Sequence, residues 1–215
     1  MTPTQIEDHV RAQYNAVGDT FFTQAEILRH IFDGQMILAK KAWCIRNVYT
    51  TTTTAGTQEY AKPSRSLSVK RITYNGVKLA PSTMREDDAL TFSNQTTTAQ
   101  GSPTYYYEWG SSFFLRPVPD SSSGTLKIYS FDKPQTVTST STLDLPDTYH
   151  DGLPDYILWR MALKDKNPKL AAEYKVNWDQ FVRETQAFER KALRGDSFTG
   201  IQDVENLQET VIGAI

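Results

Sequence analysis

Residues 67–79 read Leu67-Ser68-Val69-Lys70-Arg71-Ile72-Thr73-Tyr74-Asn75-Gly76-Val77-Lys78-Leu79. Leu67 and Val69 alternate with serines, Ile72 and Tyr74 lead into Asn75-Gly76, and Val77 and Leu79 lead out. That is the pattern of two strands joined by a two-residue turn. Asn and Gly tolerate the positive φ that both central positions of such a turn need. The apolar parity shifts at Lys70-Arg71, which predicts a β-bulge there. Upstream, five consecutive threonines at Thr50 to Thr54 favour extended backbone because they are stiff at χ1, so a β region begins soon after Trp43. Downstream, Tyr105, Tyr107 and Trp109 share one face of a strand, Gly110-Ser111 can turn, and Phe113 to Leu115 return. Pro117 and Pro119 then end the strand, and Leu126 to Phe131 form another. The connectivity expected of this region is antiparallel.

Helical periodicity flanks the β region on both sides. Thr2-Pro3 reads as an N-cap with proline at the first helical position, followed by Ile6, Val10 and Tyr14 at four-residue spacing up to the turn at Gly18-Asp19. The capping box Thr23-Gln24-Ala25-Glu26 opens a second helix through Ile27, Leu28, Ile31, Phe32, Leu38 and Ala42, with Gly34 as a point where it can bend. After Leu145-Pro146 a third helix carries Tyr156, Ile157, Trp159, Arg160, Met161 and Leu163 and accepts Pro154 in its first turn. The fourth is the clearest. Asn167 caps it, Pro168 starts it, and Leu170, Tyr174, Trp178, Phe181, Thr185, Phe188 and Ala192 form one apolar stripe, with Gly195 as a stop.

Each helical block alone is too thin to enclose a core, whereas antiparallel packing of all four helices buries their stripes together. The fold class expected is therefore α+β, a four-helix bundle-like body with an inserted antiparallel β domain and an extended C-terminal tail. The boundaries are 1–46 and 145–195 for the body, 47–144 for the insertion and 196–215 for the tail. In the tail Phe198, Ile201, Val204, Leu207, Val211, Ile212 and Ile215 are scattered among polar residues, more large apolar groups than a free solvated segment keeps.

Composition narrows the chemistry. With 215 residues, 39% of them apolar, the chain can build a core. Its 23 Lys plus Arg against 25 Asp plus Glu give no field strong enough to steer it onto nucleic acid. Cys44 is the only cysteine, which excludes an intrachain disulfide and a Cys-rich zinc site. Neither a secretory signal nor an apolar run of membrane-spanning length is read in the sequence. His9, His30 and His150 are spread over the chain, the common catalytic motifs are missing, and Cys44 beside Trp43 reads as a packed small hydrophobe. Asp147, His150 and Asp151 could gather around a metal, but a polar loop capping the next helix explains them better. Glu108 among Tyr105, Tyr106, Tyr107 and Trp109 suggests a sugar-cleaving acid, yet alternation places it opposite Tyr105 and Trp109 and no partner carboxylate is identifiable. Asn94-Gln95-Thr96 matches a glycosylation sequon that is uninformative without a signal peptide. Lys40-Lys41 and Arg190-Lys191 read as solvated helix ends. No cofactor and no metal are expected.

The segment Gly101-Ser102-Pro103-Thr104-Tyr105-Tyr106-Tyr107, then Gly110, Leu115-Arg116-Pro117-Val118-Pro119-Asp120 and Gly124-Thr125-Leu126-Lys127-Ile128-Tyr129, resembles the β region of head-to-tail adaptor (connector) proteins of short-tailed bacteriophages. The similarity continues at Leu145-Pro146-Asp147-Thr148-Tyr149-His150-Asp151 and through the aromatic-rich last helix, covering most of residues 20–195, with Pro154 as a departure at a helix start that is plainly apolar in the family. The resemblance implies a structural, non-enzymatic virion protein at the head–tail junction, made in the host cytoplasm. It implies a homo-oligomeric ring, a dodecamer to match the portal, bound beneath the portal protein, presenting a surface to tail nozzle or tube proteins and passing genomic DNA non-specifically, with no membrane. In related-looking adaptors a terminal extension engages the portal, which makes Phe198, Ile201, Val204, Leu207, Val211, Ile212 and Ile215 the candidate portal-binding residues, the other reading of the tail being that it folds back onto its own helical bundle. The alternative is a carbohydrate- or receptor-binding β module of the tail, which expects the tyrosines and Trp109 exposed on one strand face. A glycan-cleaving enzyme acting through Glu108 comes third.

Overall fold

The structure, a computed structural model, describes residues 1–88 and 100–194. The tail at 196–215 and the sequon at Asn94 lie outside the described residues. The chain divides into two compact units: Met1–Ile45 together with the described residues from Pro134 on, and Arg46–Lys133.

In the first unit, α1 spans Pro3–Gln13 and α2 spans Gln24–Ala42. A 3-10 helix covers Asp147–Gly152, followed by α3 over Leu153–Lys164 and α4 over Pro168–Arg194. Both early helices start at capping boxes, Thr2 with Gln5 and Thr23 with Glu26, so two otherwise free backbone amides are satisfied reciprocally at each. The Asn167 side chain accepts from the Leu170 amide at 3.2 Å and fixes the start of α4.

The four-helix bundle-like body expected from the sequence is not what these helices build. Five helical elements are described in the unit, and the closest pairing is the C-terminal hairpin of α3 with α4. The ends of α3 set the directions. Lys164 reaches Glu26 at the start of α2, while Leu153 and Tyr156 lie against Gly34. Tyr156 packs on Trp178, and the Gln186 side-chain amide donates to the Lys41 carbonyl at 3.1 Å. Thus α3 is antiparallel to both neighbours, and α2 and α4, which also touch, run parallel. Three mutually packed helices cannot all be antiparallel. Nor can α1, of 11 residues, cover the 27 residues of α4. At 1.5 Å per residue α4 extends about 40 Å.

Two local expectations also change. Gly34 does not interrupt α2, which continues to Ala42. A Cβ at Gly34 would stand 3.0 Å from Leu153 Cδ2 and 3.3 Å from Tyr156 Cδ1, so the glycine admits α3 to close approach. On α4 the buried face carries Ala171, Trp178, Val182, Thr185 and Glu189, whereas Phe188 is 65% exposed. Glu189 is buried because it accepts a hydrogen bond from the Tyr149 hydroxyl at 2.7 Å, a charge-assisted bond that offsets desolvation. At Gly152 any Cβ would collide with the Phe181 ring. Gly152→Ala is therefore expected to destabilise the protein by about 1–3 kcal/mol, the usual cost of overpacking. Unchanged denaturant midpoints would show that the ring swings aside freely.

In the second unit, β1 (Arg46–Thr52), β10 (Thr125–Asp132), β3 (Ser66–Tyr74) and β4 (Val77–Lys78) form one sheet in that order. A second sheet orders β2 (Glu59–Ala61), β8 (Ser112–Arg116), β7 (Tyr105–Trp109) and β5 (Ala80–Pro81), and β6 (Gln100–Gly101) pairs with β9 (Val118–Pro119). The β3–β4 hairpin has φ of 48° at Asn75 and 84° at Gly76, both positive as the turn requires. Tyr129 faces Arg71 and Ser130 faces Val69, which makes Lys70 the extra residue of a bulge at the expected place. The sheets are not wholly antiparallel: β5 pairs with β7, and β6 with β9, in parallel. Ile72, Tyr74, Leu126 and Ile128 from the first sheet meet Tyr106, Phe113 and Leu115 from the second, with Leu79 between, in one apolar core.

Candidate functional site

The aromatic strand places its side chains in ways that bear on the carbohydrate reading. Tyr106 lies in the core, Tyr107 is buried and stacks on Phe114 with ring centroids 5.0 Å apart, and Tyr105 is half-buried. Of the four aromatic residues only Trp109, 63% exposed, presents a free face. Glu108 borders a polar cleft of about 300 Å³ and pairs with Lys62 at 2.6 Å. It is the only acid among the described residues lining that cleft, whereas glycoside hydrolysis ordinarily needs two. The arrangement is therefore an ion pair on a strand, at a cleft whose described lining carries no aromatic ring.

Asp147, His150 and Asp151 do not converge. His150 is buried, and its Nε2 stands 2.9 Å from the Leu145 carbonyl oxygen. A carbonyl only accepts, so Nε2 carries the proton. The other ring nitrogen, Nδ1, accepts from the Met1 α-amino group at 2.7 Å. Asp147 lies 3.4 Å from Nδ1 on an exposed carboxylate, and Asp151 faces solvent. No cluster of three potential metal ligands occurs among the described residues. Cys44 is buried. His9 is exposed on α1, and His30 on α2 is half-buried, with burial lowering its pKa.

Among the described residues of the β unit, two buried carboxylates escaped the sequence reading. Asp132 accepts from Asn47 Nδ2 at 2.8 Å, from the Ser130 hydroxyl at 2.5 Å and from the Tyr49 hydroxyl, and so ties β1 to β10. Asp87 pairs with Arg116 at 3.0 Å, and the Tyr105 hydroxyl donates to it at 3.4 Å. Both are fully partnered within their unit. They hold the sheets rather than face a ligand.

The surface of the helical unit offers more. The Gln186–Lys41 hydrogen bond brings Lys40 and Lys41, at the end of α2, together with Arg190 and Lys191, near the end of α4. All four are exposed, so the two basic pairs, distant in sequence, share one end of the unit. At the opposite end the Lys164 ammonium donates to Glu26 at 2.7 Å and to the Phe21 carbonyl at 2.5 Å, and lies 4.5 Å from the Phe21 ring centroid. The Lys164 hydrogen bond, then the Thr23 backbone amide, hold the Glu26 carboxyl down at about 2. Because the folded value is depressed, the contribution of the pair is complete above the ordinary ~4.3 and is lost as pH falls through about 2. Carboxyl-carbon NMR titration should give Glu26 a midpoint near 2, and an ordinary midpoint would show that the contact does not form in solution.

The model of the SU10 adaptor protein family matches residues 1–200. The chain belongs to that family. The resemblance read from residues 101–151 is thereby upheld, and this adaptor is a phage structural protein of the virion. No curated protein matches it. No described helix of the adaptor is long and apolar enough to cross a membrane.

Proposed function

We propose that the chain forms a ring, twelve-membered to match the portal, that joins the portal protein to the tail nozzle or tube and encloses part of the channel through which genomic DNA leaves the head. Subunits made in the host cytoplasm add at the head–tail junction. Phe198, Ile201, Val204, Leu207, Val211, Ile212 and Ile215 engage the portal. The observation that supports this reading most is the family match over 200 of the 215 residues. A formal charge of −2 also suits a wall that DNA passes without being gripped.

Co-sedimentation with purified portal rings tests it. The full chain should pellet with the rings, and a chain ending at Ser197 should stay folded and soluble but remain in the supernatant. Equal pelleting of the two would remove the terminal residues from the interface.

A further inference from the structure

On α2, Leu28, Phe32 and Met36 form a half-buried apolar row on the side away from Gly34. Thr136 and Val137 cover part of it and leave an apolar cleft of about 320 Å³ against Ala25, Leu28 and Phe32, with Arg29 at the rim. The row is apolar along a second stripe of a helix whose first stripe is already buried, so it is a face that burial would stabilise.

Residues 201–215 match this cleft in pattern and charge. At about 100° per residue, Ile201, Val204, Leu207, Val211, Ile212 and Ile215 fall within roughly 140° of one helical face, and Asp203, Glu205 and Glu209 lie outside that arc. Residues 196–215 contain four carboxylates and neither Lys nor Arg. The approach to the cleft is basic: Arg190, Lys191, Lys40 and Lys41 stand at the end where α4 finishes, and Arg29 at the cleft itself.

The same chain can make the contact. Gln186 is level with Lys41, and α2 runs parallel to α4. Counting along both helices at ~1.5 Å per residue, Phe32 lies about 25 Å and Leu28 about 32 Å back from Arg194. The chain from Arg194 to Ile201 can span up to about 25 Å, and residues 202–215 extend its reach further. A tether of that length raises the local concentration of the segment far above that of a separate molecule.

We infer that residues 201–215 dock in the α2 cleft of their own chain while no partner is bound. Under the function proposed above, the portal competes with the cleft for the same apolar residues, but the docking itself does not depend on that function.

A benzophenone side chain placed at Ala25, on the exposed rim of the cleft, tests this in the full-length chain irradiated without portal. The expected product keeps monomer mobility, and its cross-linked peptide falls within 201–215. The double change Val211→Asp and Ile212→Asp should remove it. Cross-links to other segments, cross-links only in a dimer-sized product, or a yield indifferent to the double change would each overturn the inference. Since the portal is absent, loss of this signal leaves the portal-binding reading standing, and failure to bind portal leaves this one standing.

Discussion

Trp178→Ala should destabilise the protein by about 3–5 kcal/mol, the cost of emptying a buried aromatic site. Trp178 is 2% exposed on α4, and its ring lies 5.1 Å from that of Tyr156 on α3 and 6.0 Å from Phe181. Tyr156 in turn packs against the Gly34 position on α2, so the indole backs the ring by which α3 seats on α2. Truncation there opens a cavity behind that ring. Phe188→Ala, on the same helix, is the control: with its ring in solvent the loss should stay within about 0.5 kcal/mol. Denaturant unfolding of both variants decides the matter. Equal losses would mean that α4 is rotated from the arrangement described.

Asp132→Ala should cost about 1–3 kcal/mol by a different route, the loss of one acceptor shared by the buried Ser130 and the half-buried Asn47 and Tyr49. The carboxylate, 1% exposed, gathers donors from Asn47, Tyr49 and Ser130, and its removal takes away the acceptor they share. Asp132→Asn keeps the volume and one acceptor oxygen and should lose about half as much. If the alanine variant unfolds at the same denaturant concentration as the parent, the network contributes nothing to the β unit.

Features set by a few neighbouring residues were legible in the sequence. Asn75-Gly76 forces its turn because both positions need positive φ, and the parity shift at Lys70 marks a bulge because a pleated strand alternates faces without exception. The capping boxes at Thr2 and Thr23 are similarly local. What failed involved partners remote in the chain. Periodicity shows that a helix has an apolar face but not which helix covers it, and so the bundle expected of four helices gave way to α2 and α4 packed in parallel around α3. The stripe expected on α4 holds at Trp178 and Thr185 but fails at Phe188 for the same reason: the burial of Glu189 in its place depends on Tyr149, forty residues earlier. The parallel ladders of β5 with β7 and β6 with β9 are two residues long and leave no pattern to read. As for function, the punctuation of residues 101–151 carried the family, while the grouping of Lys40-Lys41 with Arg190-Lys191 needed the fold.

Electron microscopy of the protein mixed with purified portal rings tests the head-to-tail role most directly. The proposed function expects an added annulus of density on one end of the portal, coaxial with its channel and with one subunit for each portal subunit. Portal rings that remain bare with the protein in excess would contradict it.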